Sequence, residues 1–280
     1  MVIGRAVFAG MVIVLLGTIP RNVAYAMNLR YLPSVPWAVP VMAVFLWFFW
    51  RYLHSGQPWF APEAAAGRAL RARPLALPLW QWSLTAGGLG IVALVLGLRL
   101  LNRMVALPPQ QLPDLSGVPA FTVAALLLMS APIAGIVEEA AFRGYMQGPI
   151  ERAHGVVPAI LISGTMFALS HLDFTLVLWP YYVAVAAIYG MVTYLTDSIL
   201  PSIVLHTAGN LFSNFDLWLH GQAEWQAGAG AAPLIWEAGA DRSFWIAAAA
   251  LAIVAALAIA AYVKLAQAAR VEAARRPRLV

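Results

Sequence analysis

Eight apolar stretches run through this chain, at 6–19, 37–53, 79–101, 119–137, 156–171, 174–194, 199–212 and 244–266. At about 1.5 Å of rise per residue, roughly 17–25 apolar residues carry a helix across about 30 Å of hydrocarbon. The first, fifth and seventh stretches are short, and Pro20, Pro132 and Pro201 interrupt or bound the pattern. The remaining residues could not cover a soluble globule. Of 280 residues 62% are hydrophobic and 10% charged, against roughly 45–50% and about 25% in soluble domains. With a mean hydropathy of +0.78, the expectation is an all-α, polytopic transmembrane bundle of about eight spans, one integral-membrane domain over 1–280. The chain has no cysteine, which excludes disulfide frameworks, thiol nucleophiles and thiolate metal sites.

The formal charge is +5, but the arginines are scattered between spans or gathered near the end, as membrane-orienting charges are, and no nucleic-acid partner is expected. Arg51, Arg68, Arg71 and Arg73 follow the second span; Lys264, Arg270, Arg275, Arg276 and Arg278 follow or close the eighth. Six crossings separate these groups, so they share a side, and basic short loops are retained in the cytoplasm. The loop after the seventh span, with Asp216, Glu224, Glu237 and Asp241 against Arg242, then lies outside. Both termini are expected in the cytoplasm of a bacterial-type membrane, with 266–280 as a basic cytoplasmic tail. Arg5, an apolar run and Ala24-Tyr25-Ala26 also match a secretory signal cleaved after Ala26, although Arg21 interrupts that pattern. Cleavage would leave the other seven spans oriented as before.

An ionisable side chain inside a span costs at least about 2.5–3.5 kcal/mol on insertion scales, so each needs a partner or a role. Glu138 and Glu139 follow the fourth stretch without a break, and two adjacent carboxylates repel unless a cation is near. Glu139 and Arg143 are four apart with the acid first, the favourable order for an ion pair on one helix face. Glu138 projects about 100° away and is not neutralised by that arginine. One acid then reads as structural and one as free; the plainer reading has both marking the water interface. His171 ends the fifth stretch, and His206 and Asn210, four apart, share a face of the seventh. Taken singly, either histidine suits a satisfied core position. Together with Glu138 they are the equipment for attacking an amide with water. Carboxylate and neutral imidazole accept protons or bind metal, while amide and imidazolium stabilise an oxyanion.

Other intramembrane chemistries lack their residues. There is no H-E-x-x-H helix, no G-x-S-G setting, since Ser163 lies in Leu161-Ile-Ser-Gly, and no G-x-G-D sequence. Ser202 and His206 have dyad spacing, but no oxyanion loop accompanies them.

The three polar groups, taken in order, resemble the motifs of the CAAX protease and bacteriocin-processing enzyme family (CPBP, or Abi) of intramembrane proteases, which includes the Ras-converting CAAX endoprotease. The family's E-E-x-x-x-R, F-x-x-x-H and H-x-x-x-N are met by Glu138-Glu139-Ala-Ala-Phe-Arg143, Phe167-Ala-Leu-Ser-His171 and His206-Thr-Ala-Gly-Asn210. The resemblance covers 119–212, the expected catalytic core. It implies an endopeptidase acting on a membrane-associated protein or peptide, surrounded by membrane lipid, near the cytoplasmic face. Glu138 would be the general base on a catalytic water, His171 its partner, and His206 with Asn210 the oxyanion site. Glu139 and Arg143 would hold the helix in place. Glu138, His171 and His206 could supply three zinc ligands with an open fourth position, and the same residues also serve a metal-free route; both stay open. Other readings are a proton-coupled transporter, with Glu138, His171 and His206 as a relay, and a non-catalytic immunity or scaffold protein.

A plain up-and-down count separates Glu138, near the inner end of the fourth span, from His171, near the outer end of the fifth. They meet only if the fourth helix continues through Arg143 with a kink at Pro132, or if the fifth begins in water before His154.

Overall fold

The computed structural model describes residues 1–55, 58–60, 69–107, 114–171, 176–221 and 233–275. Among them every regular element is helical, as expected where lipid offers the backbone no hydrogen bonds and each segment must satisfy its own. The elements are α1 (Val2–Tyr31), α2 (Ala38–His54), α3 (Leu77–Met104), α4 (Ala120–Glu138), a π-helical segment (Glu139–Gln147), α5 (Gly148–His154), α6 (Val156–Ser170), a 3₁₀ turn (Leu176–Leu178), α7 (Trp179–Thr196), α8 (Leu200–His220), the short α9 (Ile235–Ala238) and α10 (Arg242–Arg275). Each of the eight apolar stretches falls in or at the edge of one helix, apart from 174–175 of the sixth, which lie outside the described residues. Val2–Tyr31, Leu77–Met104, Ala120–His154, Leu176–Thr196 and Arg242–Arg275 are long and apolar enough to cross a membrane, with Ala38–His54 and Val156–Ser170 as shorter apolar helices. The protein is an integral-membrane helical bundle.

The fourth span does not stop at its last apolar residue. Ala120–His154 is one rod of 35 residues, about 50 Å long at α-helical rise, and it carries Glu138, Glu139 and Arg143 near its middle. This is the first of the two arrangements needed to bring Glu138 to His171, and Pro132 lies inside α4.

Small residues let this rod sit at the centre. On α1, Gly17 faces Val137 and Gly10 faces Met146 so closely that a Cβ would overlap either side chain. Tyr25 donates to the Leu126 carbonyl at 3.0 Å. α1 therefore runs antiparallel to the rod, beginning beside α5. On α4, Gly135 lies against Thr207 and the Ile203 carbonyl of α8. Backbones approach this closely only where a side chain is missing.

The α2–α3 connection closes one end. Arg71, buried and in the left-handed region at φ 55°, reaches Glu151 of α5 at 3.1 Å and Asp197, itself at φ 51°, at 2.9 Å. Arg73 bonds the Thr196 carbonyl and lies 3.7 Å from Asp197. Two of the four arginines expected to orient the membrane are thus committed to ion pairs, Arg51 is exposed over the Trp47 ring, and Arg68 lies outside the described residues. Arg276, Arg278 and Glu224 lie outside them as well; α10 continues as helix through Lys264 and Arg270 to Arg275.

At the other end Arg103 of α3 pairs with Asp241 at 3.1 Å, just before α10. The Ser243 hydroxyl, the Phe244 N–H and Arg103 hold the Asp241 carboxyl well below the usual carboxylate range. α10 accordingly runs antiparallel to α3, and α1 begins and α10 ends at the end closed by Arg71.

Candidate active site

The two glutamates arrive at one imidazole from opposite edges. His206 Nδ1 lies 2.8 Å from Glu139 Oε1, and its Nε2 lies 3.6 Å from Glu138 Oε2. An ionised carboxylate only accepts, so against Glu139 the proton sits on Nδ1, and Nε2 is presented to Glu138. Glu139 is fully buried, whereas the Glu138 side chain keeps 17% of its surface accessible. The adjacent acids therefore sit in different environments, one enclosed in protein and one lining a cavity.

Arg143 balances the enclosed acid. Its Nη1 is 3.2 Å from Glu139 Oε1, with both side chains fully buried. The contact is one of charge and distance, without hydrogen-bond alignment. The guanidinium also faces the rings of Phe167, Tyr189 and Phe142 at 5.2, 5.4 and 6.0 Å, and aromatic faces stabilise a desolvated cation.

His171 sits at the C-cap of α6, where its Nδ1 is 2.8 Å from the Phe167 carbonyl. A carbonyl cannot donate, so Nδ1 carries the proton and Nε2 is the nitrogen left for the cavity. Asn210 lies one turn beyond His206 on α8. Glu138, His171, His206 and Asn210 line one cavity, together with Phe167, Tyr181 and Tyr189. All four residues expected at the catalytic centre meet there, and Glu139 and Arg143 lie behind it. Among described residues the ionisable side chain paired with Glu138 is His206; His171 shares the cavity wall. Ser202, the imagined partner of His206, is engaged elsewhere: its hydroxyl donates to the Tyr189 carbonyl at 3.0 Å and lies 2.9 Å from Thr193 Oγ1.

Residues 120–212 match the family model described as type II CAAX prenyl endopeptidase Rce1-like. The match covers a third of the chain, and over that segment the chain is similar to this family. No curated protein and no solved structure matched the chain. The family supports membrane proteolysis as the general function, with a protein or peptide as substrate.

The matched segment does not line the cavity alone. The wall facing the polar groups is Ile91, Leu94, Val95 and Leu98 of α3, one face of a helix outside the matched segment. No motif marks those residues; their spacing of three and four within a span is the only signal. Tyr181 and Tyr189 of α7 line the cavity without a motif either.

The residues present do not fit the three-ligand zinc centre as arranged. Among the described residues no three of His, Cys, Asp or Glu converge closely enough to hold a metal ion. His206 offers only Nε2, because its Nδ1 is tied to Glu139.

The cavity also bears on orientation. Its lining runs from His206 to Ser213 along α8 and from Ile91 to Leu98 along α3. It reaches the surface beside His171 and Phe212, both exposed, in the half of the bundle where α6 ends and α7 begins. Val2 of α1 and Arg275 of α10 lie at the opposite end. The cavity thus opens in the half of the bundle away from the start of α1 and the end of α10.

Proposed function

We propose that the protein is an intramembrane endopeptidase of CAAX-protease type that hydrolyses a peptide bond of a membrane-associated protein or peptide, with 119–212 as its catalytic core. The observation that carries this reading is His206, pinned by Glu139 on Nδ1 and facing Glu138 with Nε2, in a cavity shared with His171 and Asn210. Glu138 takes a proton from a water in the cavity as the water oxygen bonds to the scissile carbonyl carbon. The Asn210 amide and a proton on His206 Nε2 stabilise the oxyanion, and Glu139 balances the charge of the doubly protonated ring. Collapse breaks the C–N bond, and the leaving nitrogen takes the proton held by Glu138. His171, its Nδ1 tied to its own helix, offers Nε2 as the acceptor that orients the water. The route uses no resident metal.

The α3 wall receives the apolar flank of the substrate. Both termini lie in the cytoplasm, following the exposed Arg51 and the basic end of α10, so the cavity opens toward the outer half of the membrane.

The test compares wild type with Glu138→Gln, in cells by profiling membrane peptides and in liposomes on a prenylated C-a-a-X peptide. The amide keeps the shape and cannot accept water's proton, so turnover falls about 10²–10⁴-fold, the scale for removing a general base. Half of wild-type turnover in the Gln variant would exclude Glu138 from that role.

A further inference from the structure

Both histidines of the cavity lie against tyrosines of α7. Tyr189 stacks on His206 with ring centroids 5.0 Å apart and planes at 15°. Tyr182 stacks on His171 at 4.7 Å and 30°. The tyrosines are seven residues apart, two helical turns, so both project from one face of α7. Neither belongs to the motifs that mark the site, and nothing in the reaction above uses them.

A single hydrogen bond aims an imidazole without fixing its plane. His206 is tied through Nδ1 to Glu139, and His171 through Nδ1 to the Phe167 carbonyl; each ring can still swing about that contact. A wrong plane points Nε2 away from water and substrate. A flat surface against the ring removes this freedom, and Phe167 closes the edges, at 4.6 Å from His171 and 6.1 Å from His206. Tyr189 is itself held, since the Arg143 guanidinium lies 5.4 Å from its ring and its carbonyl accepts from Ser202. Tyr182 is buried and packs edge-on to Phe167 at 5.9 Å.

We propose that Tyr182 and Tyr189 are positioning residues, whose ring faces set the planes of His171 and His206 so that both Nε2 atoms face the cavity. The inference rests on the proteolytic reading for its kinetic consequence and on geometry alone for the stacking. It assigns to α7, which carries no motif, the alignment of two catalytic groups borne on α6 and α8.

The test uses the full chain in lipid nanodiscs with isotope-labelled histidine, as wild type, Tyr189→Phe, Tyr189→Leu, Tyr182→Phe and Tyr182→Leu. Leucine fills much of the space without a ring. Ring-current shifts on the His206 and His171 ring protons, assigned from His206→Asn and His171→Asn, are expected to persist in the Phe variants and vanish in the matching Leu variants. On the prenylated C-a-a-X peptide, each Leu variant loses about tenfold or more in kcat with KM unchanged, the scale of a misplaced catalytic group, while Phe stays within about threefold. Histidine resonances that do not respond to leucine overturn the stacking. Leu variants as active as the Phe variants, or Phe as impaired as Leu, overturn the positioning role. Proteolysis retained by Glu138→Gln would instead refute the proteolytic reading, and the resonances would still decide the stacking.

Discussion

Glu138 and Glu139 differ by one position and by everything around them. Glu139 is enclosed with Arg143 and tied to His206, so removing either charge strands the other without water. Glu139→Ala and Arg143→Ala should each lower thermal stability, and the double variant should lose less than the sum, with a coupling of about 0.5–3 kcal/mol as for residues in contact. Strict additivity of the melting shifts would remove the pair. Activity should separate the two residues. Glu139→Ala also releases His206 Nδ1, so its turnover should fall further than that of Arg143→Ala at matched folded fraction. Equal losses would show that the Glu139–His206 bond contributes nothing to catalysis.

At the scale of elements, the site depends on a rod that changes its winding directly after Glu138. Bonding i to i+5 widens the helix from Glu139 to Gln147, a distortion that recurs at functional sites. Its position is held by α8, which approaches α4 at Gly135. A methyl group there would meet the Thr207 side chain and stand 3.1 Å from the Ile203 carbonyl and 3.2 Å from the Thr207 nitrogen. The side chain can turn aside, but the backbone cannot. Gly135→Ala should therefore cost about 1–3 kcal/mol of stability, the range for overpacking, and should reduce turnover by moving His206 away from Glu138. A variant as stable and active as wild type would show that α4 and α8 have room to separate.

For the whole molecule, sidedness and metal dependence are each read by one measurement. Cysteines placed in this cysteine-free chain at Ser55 and Ala266 should be shielded from impermeant thiol reagents in intact cells, and one at Ser116, before α4, should label. Gln226, which the acidic loop offers for the same purpose, lies outside the described residues. Labelling at Ser55 with protection at Ser116 would invert the chain and turn the cavity toward the cytoplasm. Chelators should leave proteolysis unchanged, because Glu138, His171 and His206 do not converge as three ligands. Stoichiometric zinc that leaves and returns together with activity would overturn this.

What the sequence by itself determined follows from local rules. Spans of apolar residues must become helices in lipid, so the eight-stretch pattern specified an all-α bundle. A carboxylate, two histidines and an asparagine within such spans are too costly to lack a purpose, so Glu138, His171, His206 and Asn210 stood out before any fold was known. Tertiary structure decided the rest, because each remaining property depends on partners distant in the chain. Whether the fourth helix ends at Glu138 or runs on to His154 is not set by hydropathy once polar residues begin; burial against α1, α6 and α8 sustains it. That Glu139 grips His206, 67 positions away, has no local signature, whereas its pairing with Arg143 one turn on does. The arginines of the α2–α3 connection read as membrane-orienting charges until Glu151 and Asp197 are brought beside them. Local spacing announces which residues are unusual, and only packing says which of them meet.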